Sequence, residues 1–419
     1  MVDRVLTIIM AGGTGERLQP LTRVRSKPAV PFAGKFRLID FPLSNCINSG
    51  IRQIYILIQY RSWSLQRHIQ EGWGISSSRL GEYIYCVPAQ QKIGKDWYHG
   101  TADAIRQNLD LVRHKGFDHV LILSGDHVYK MDYAQLIAQH IKCKAGLTVS
   151  AVRVKKEIAS GNLGVFEVDE NFRLVSFEEK PAHPKTITLD SDDVLASMGI
   201  YLFNTDVLLE SLKLEGDDFG RDIIPQLVKE RPDIFIYDFS EKNKIEDFVT
   251  EIENGRRKKV LAERTRDSSY WRDVGTIDSY YEASMDLISV DPTFNLYGDK
   301  WVFRTYERSL PPSKCVIGGR TLDSMVSAGC IISGGLVQRS ILSPGVIVEK
   351  DAVVEDSVIF DDTIIEPGVR IRQAIIDKQS RIRTGVSIGY DLEADKRRGC
   401  TISEKGVVVV PRSMDLGPA

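Results

Sequence analysis

Sulfur and imidazole are scarce in this chain. Six cysteines are spread over 419 residues, at positions 46, 86, 143, 315, 330 and 400, and none form a Cys-x-x-Cys pair. That is too thin for a disulfide framework or a structural zinc site, and it fits a reducing cytoplasm. All seven histidines lie at or before His183, so the C-terminal part has no imidazole to act as a base. No apolar run is long enough to span a bilayer. The net charge is only −2, which leaves no long-range field to recruit nucleic acid or a membrane surface. A first strand is expected about four residues in, so no signal or transit peptide is expected ahead of it.

What is present is an ordinary globular composition, 42% hydrophobic and 27% charged, over a length that accommodates two domains. Strand-like runs at 5–10, 54–58, 120–124 and 147–154 alternate with helix-like stretches at 62–71, 101–113 and 132–142. Such alternation predicts an α/β, Rossmann-like, doubly wound and mostly parallel sheet. Ligands then bind at the carboxyl ends of the strands.

The first of these strands runs into Gly12, Gly13 and Gly15. Three glycines in four positions let the backbone turn sharply and bring its N–H groups close to a ligand. A helix or helical turn after them would aim its positive end at the same place. Arg17 and Lys27 add full charges, and the ligand that suits such a loop is a polyphosphate. An ordinary strand-to-helix turn explains the glycines alone equally well. The pattern is neither a P-loop nor a good dinucleotide fingerprint.

Two later segments depart from this rhythm. Residues 241–267 hold 15 charged residues out of 27 and include Arg256-Arg-Lys-Lys259. Acidic residues crowd the same segment, which argues against nucleic acid. The spacing of Ile245, Phe248, Val249 and Ile252 predicts a solvated amphipathic helix. From about residue 311, aliphatic residues recur every six: Ile341, Ile347, Val353, Ile359, Ile365 and Ile371. After a one-residue slip, Ile376, Ile382 and Ile388 follow. That period does not fit a helix and predicts a parallel β-helix. The expected division is a first domain over 1–290, a linker over 291–312 ending in Leu310-Pro-Pro312, and a β-helix over 313–419.

Candidate chemical groups sit in short strings. Asp126, in Leu123-Ser-Gly-Asp-His127, follows an apolar strand and on its own reads as a turn residue. Asp273, in Trp271-Arg-Asp-Val-Gly-Thr276, supplies a second carboxylate. Lys180 beside Glu179, in Phe177-Glu-Glu-Lys-Pro181, reads in isolation as an acidic surface turn with a solvated lysine. Tyr98 reads as an aromatic capping a helix that starts near Thr101.

Taken whole, Gly-Gly-x-Gly-x-Arg-Leu-x-Pro-Leu-Thr, with Lys27-Pro28 ten residues after the arginine, resembles the signature of the sugar-1-phosphate nucleotidyltransferases. Ser26-Lys-Pro-Ala-Val30, Gly34-Lys-Phe-Arg-Leu-Ile-Asp-Phe41, Pro88-Ala-Gln-Gln91, Trp97-Tyr-His-Gly-Thr-Ala-Asp-Ala104 and Ser309-Leu-Pro-Pro312 resemble the ADP-glucose-forming branch of that family over nearly the whole chain. The resemblance implies that Gly12, Gly13, Thr14, Gly15, Gln90, Gly100 and Thr101 hold ATP, with Arg17, Lys27 and Asp126 catalytic. A glutamine amide such as Gln90 can both donate to and accept from an adenine edge. Tyr98, Gly164, Glu179, Lys180 and Ser197 would hold glucose 1-phosphate, and Asp126 and Asp273 would hold Mg²⁺.

The resemblance further implies a left-handed coil, a homotetramer, a role in glycogen synthesis and control by anionic small molecules. Val24 and Pro31 stand where some bacterial members carry basic residues. Arg25, Arg37, Arg370 and Arg372 remain as candidate effector contacts, with Arg381 and Arg383 as further cations. The β-helix is expected to serve assembly and regulation, not chemistry. Two rival readings are a nucleotidyltransferase using UTP or dTTP and a catalytically silent regulatory subunit of the same fold.

Overall fold

The computed structural model describes residues 2–90, 97–113, 116–188 and 190–418. Among the described residues, no helix is long and apolar enough to cross a membrane. The first half of the chain builds a nine-stranded sheet. Val5–Ala11 lies at its centre, flanked in parallel by Gln53–Ile58 and His119–Ser124, with Tyr83–Pro88 parallel beyond. The central strands read as continuous apolar runs because both faces are covered, whereas Tyr83–Pro88 at the edge is partly exposed. The long strand Asp193–Asn204 then runs antiparallel to His119–Ser124 and Leu147–Lys155. The sheet is therefore parallel where the glycine loop leaves it and mixed at its far side.

Helices Trp63–Gly72 and Tyr133–Lys142 fall where the sequence pattern puts them. The expected helix 101–113 is broken into Thr101–Arg106 and Leu109–Arg113. The charged segment 241–267 is not a helix. It is an antiparallel hairpin, Asp247–Glu253 against Arg256–Ala262. The turn is Asn254-Gly255, both with positive φ, a strong local hairpin signal. Glu251 lies opposite Lys258 and Glu253 opposite Arg256, so the acidic and basic runs neutralise each other across the ribbon.

The C-terminal coil has three parallel faces. Most of its strands pair with those 16 or 17 residues on: 16 for Arg320 with Leu336 and Ile331 with Ile347, 17 for Leu336 with Val353 and Val353 with Arg370. A turn of the coil is thus 16 or 17 residues and not three strict hexads. The strict six-residue ladder drifts: Ile347 and Val353 point partly outward, whereas Val348, Val354, Ile359, Ile365 and Ile371 fill the interior.

One face of the coil is built into the first domain. Ile341, Val358, Phe360, Ile375 and Val409 share a buried cluster with Leu38, Phe41, Tyr280 and Phe294. A buried carboxylate ties down the chain leading to this seam, and a buried ion pair crosses it. Asp40 accepts from His68 Nε2, Trp73 Nε1 and Thr305 Oγ1, tying residue 305 down. Arg25 reaches Asp377 with both terminal nitrogens, at 3.1 and 2.9 Å, and both side chains are buried.

A buried pair broken from one side leaves an uncompensated charge, which costs about 3–5 kcal/mol. Asp377→Ala should therefore lower stability by that order in thermal or urea unfolding. The double change Arg25→Met, Asp377→Leu should recover most of the loss. Equal stability of Asp377→Ala and the unaltered chain would show that the pair contributes nothing to the seam.

Candidate functional site

Gly12–Gly15 emerges from the carboxyl end of the central strand, and only a three-residue turn, Glu16–Leu18, follows it. A macrodipole is therefore not available here; the positive field comes from loop amides and side chains. Gly15 has φ 64°, the left-handed region that favours glycine, and a Cβ there would lie 3.0 Å from Lys27 Cβ. The loop borders a cavity of about 640 Å³. Gly12, Gly13, Thr14, Gly15, Arg17, Lys27, Tyr98, Gly100, Thr101 and Asp126 all line it.

Asp126 follows the strand His119–Ser124, and Asp273 ends the strand Trp271–Asp273, which pairs antiparallel with His127–Tyr129. This short ladder brings the two carboxylates together. Lys27 Nζ stands 2.9 Å from Asp126 Oδ2 and 2.9 Å from Asp273 Oδ1. Burial alone would push the Asp126 carboxyl up and the Lys27 ammonium down. Their mutual attraction outweighs it, with Asp126 held well below the usual carboxylate range and Lys27 raised. His127 and the Ser124 hydroxyl, which donates to Asp126, add to the first effect. A Cβ on Gly275 would lie 3.1 Å from both Arg17 Nη2 and Asp273, so glycine there lets the guanidinium lie alongside.

A second cavity, of about 210 Å³, opens on the other side of Ser124 and contains Gly164, Glu179 and Ser197. Met10, Thr101, Ser124 and Asp218 line both. Burial, with Asp218 adding, raises the Glu179 carboxyl in spite of Lys180. Lys180 is half-exposed at the rim, with Nζ 3.9 Å from Glu179, and lines neither cavity. Gln90 is exposed and also lines neither, and Gln91 lies outside the described residues. Tyr98 faces the larger cavity, where its hydroxyl accepts from Asn108.

Several site residues carry no motif. Gln59 follows the strand Gln53–Ile58 and takes both backbone groups of Tyr98, at 2.7 and 3.4 Å. The strand-end rule would have flagged it. Asp218 accepts from the Thr101 hydroxyl at 3.0 Å, and Phe219 N donates to that same hydroxyl at 3.0 Å. Tyr201 and Gly199 come from the antiparallel strand Asp193–Asn204. No local signal marks Asp218, because the contact with Thr101 is purely tertiary.

The four candidate effector arginines are not brought together. Arg25 and Arg37 border an interdomain cavity of about 530 Å³, with Arg25 bonded to Asp377. Arg370 and Arg372 lie on the coil's surface, each 4.8 Å from the ring of Tyr390, and do not line that cavity.

The family model for nucleotidyl transferases matches residues 6–290, and that for the GlmU-like C-terminal hexapeptide matches residues 311–410, the class of left-handed parallel β-helices. A relative named glucose-1-phosphate adenylyltransferase in Alteromonas mediterranea is 45% identical over 97% of this chain and 92% of its own. One of the same name in Nitrosococcus oceani is 46% identical over 98% and 94%. Another, in Shewanella sp. strain ANA-3, is 45% identical over 97% and 94%. With both halves matched and the similarity running almost end to end, the chain belongs to the nucleotidyl transferase family, and within it to the glucose-1-phosphate adenylyltransferases.

Proposed function

We propose that the chain transfers the adenylyl group of ATP to α-D-glucose 1-phosphate, giving ADP-glucose and pyrophosphate for glycogen synthesis. The observation that carries this is the meeting of two cavities at Ser124. One is walled by a cationic glycine loop; the other, lined by Asn162, Glu179, Ser197 and Asp218 beside Leu163 and Tyr201, has room for one hexose. An oxygen of the sugar phosphate attacks the α-phosphorus in line; the new P–O bond forms as the bond to the β-phosphate oxygen breaks.

Arg17 and the amides of Gly12–Gly15 neutralise charge on the departing pyrophosphate, and Lys27 supports the phosphate chain. Glu179 and Ser197, beside Gly164, orient the sugar, with Lys180 reaching its phosphate from the rim. Such catalysis is positioning and charge neutralisation, and needs no covalent intermediate with the protein. Asp126 and Asp273 fit Mg²⁺, because their hard oxygens already converge on one cationic centre. When bound there, the ion would supply electrostatic relief to the triphosphate.

The same proposal includes an anionic effector in the interdomain cavity. Arg37, Arg67, Arg308, Lys378 and Arg412 face it, and among the described residues Arg37 and Arg412 form no ion pair with a carboxylate. Arg412→Ala should weaken the response to sugar phosphates, nucleotides or inorganic phosphate while sparing the rate without effector. Unchanged dose–response curves to all of them would remove the residue from a regulatory role.

The decisive assay measures pyrophosphate release with glucose 1-phosphate and each common nucleoside triphosphate. ATP should give the fastest turnover. Faster reaction with UTP or dTTP would overturn the adenylyl assignment. Silence with every substrate, relieved only by a second kind of subunit, would identify a regulatory chain instead.

Lys180→Ala removes a charge-assisted bond of about 1.5–3 kcal/mol that exists in ground and transition states alike. KM for glucose 1-phosphate should rise roughly 10- to 150-fold, with kcat and KM for ATP nearly unchanged. A rise confined to KM for ATP would move Lys180 to the triphosphate.

A further inference from the structure

Lys27 is rooted in the short turn Lys27–Ala29, and its side chain is only 10% exposed. Both partners of its ammonium are carboxylates, Asp126 and Asp273, each at 2.9 Å. These are the oxygens assigned above to the divalent ion. Lys27 holds one oxygen of each acid and the Ser124 hydroxyl holds the other oxygen of Asp126, so a divalent ion between the acids would stand at contact distance from the ammonium, where two cations repel strongly. A metal that enters must expel Lys27.

Expulsion is costly unless the ammonium finds another anion, because a buried unpaired charge is heavily penalised. Lys27 also lines the larger cavity, where the loop packs directly on its stem at Gly15. A side-chain rotation carries Nζ from the carboxylates toward whatever anion that loop holds. With a triphosphate on the loop, Lys27 has a new partner; without one, it has none.

We propose that Lys27 is a two-position latch on the carboxylate pair: it occupies Asp126 and Asp273 until a metal–triphosphate complex arrives, then transfers to a phosphate oxygen. Free divalent ions are therefore poor ligands, and metal enters only in company with the nucleotide. This rests on the reading of Asp126 and Asp273 as metal ligands and of the glycine loop as the phosphate cradle.

The test is direct titration of the full chain with Mn²⁺ and no nucleotide, followed by electron paramagnetic resonance of the unbound ion. The unaltered protein should bind Mn²⁺ weakly. Lys27→Met should bind it at least about tenfold tighter, and Lys27→Met with Asp126→Asn should lose that gain. Affinity for a non-hydrolysable ATP analogue should move the other way in Lys27→Met, becoming weaker.

Equal Mn²⁺ affinity in the unaltered protein and Lys27→Met overturns the latch. So does tight binding of Mn²⁺ alone by the unaltered protein that Asp126→Asn abolishes, a result that decides the matter even if Lys27→Met does not fold. Turnover of Asp126→Asn separates the two levels of failure. If it is lost while Lys27→Met gains no Mn²⁺ affinity, the ligand assignment stands and the latch alone is wrong. If it is normal, the ligand assignment falls and the latch with it.

Discussion

Two carboxylates from distant parts of the chain converge on one ammonium, and the rest of the site is arranged to keep them there. Asp126 is placed by the central parallel strands; Asp273 is placed by a three-residue ladder against His127–Tyr129. That ladder is too short to stand alone. It is held by what lies behind it, where Tyr270 stacks on Phe294 and buried Asp267 binds Lys130 at 2.7 Å. Residues that never approach a substrate thus decide how far apart the two acids sit.

The seam between the domains follows from the same geometry. The buried cluster that includes Leu18, Val128 and Val274, close in sequence to the loop and both acids, also takes in Val358 and Ile375 from the coil. Closely packed interiors transmit strain and do not absorb it. A displacement of the coil is therefore felt at the root of the glycine loop, through Leu18 in the shared cluster.

Much of this was legible in the residues. The glycine loop, the strand-end position of Asp126 and the change of period after residue 311 all rest on local pattern, and each lies where that pattern puts it. What escaped was tertiary or competing. The hairpin at Asp247–Ala262 was hidden by an apolar spacing that mimics a helical face, while Asn254-Gly255 carried the better signal. Arg25 read as a free cation because nothing nearby reveals Asp377, which comes from the coil. The six-residue ladder misjudged which aliphatics face inward, because the corners of the coil are not all of equal length. Gln59 and Asp218 belong to no motif, being placed by contacts with Tyr98 and Thr101.

The ladder-paired turn of the coil, 16 or 17 residues long, sets a rule for how such a chain can change length. Deleting one residue within a strand would rotate an inward side chain such as Ile365 to the outside and break the ladder on both neighbours. Residues can be added without harm only at a corner, or as a whole turn. The last turn shows the corner route. Ala374 pairs with Val408 and Arg381 with Asp415, while the intervening chain leaves the coil as the helix Leu392–Arg397 and returns in register. Heredity can therefore edit this part of the molecule only at its corners, by a single residue or a whole excursion, or by the full rung.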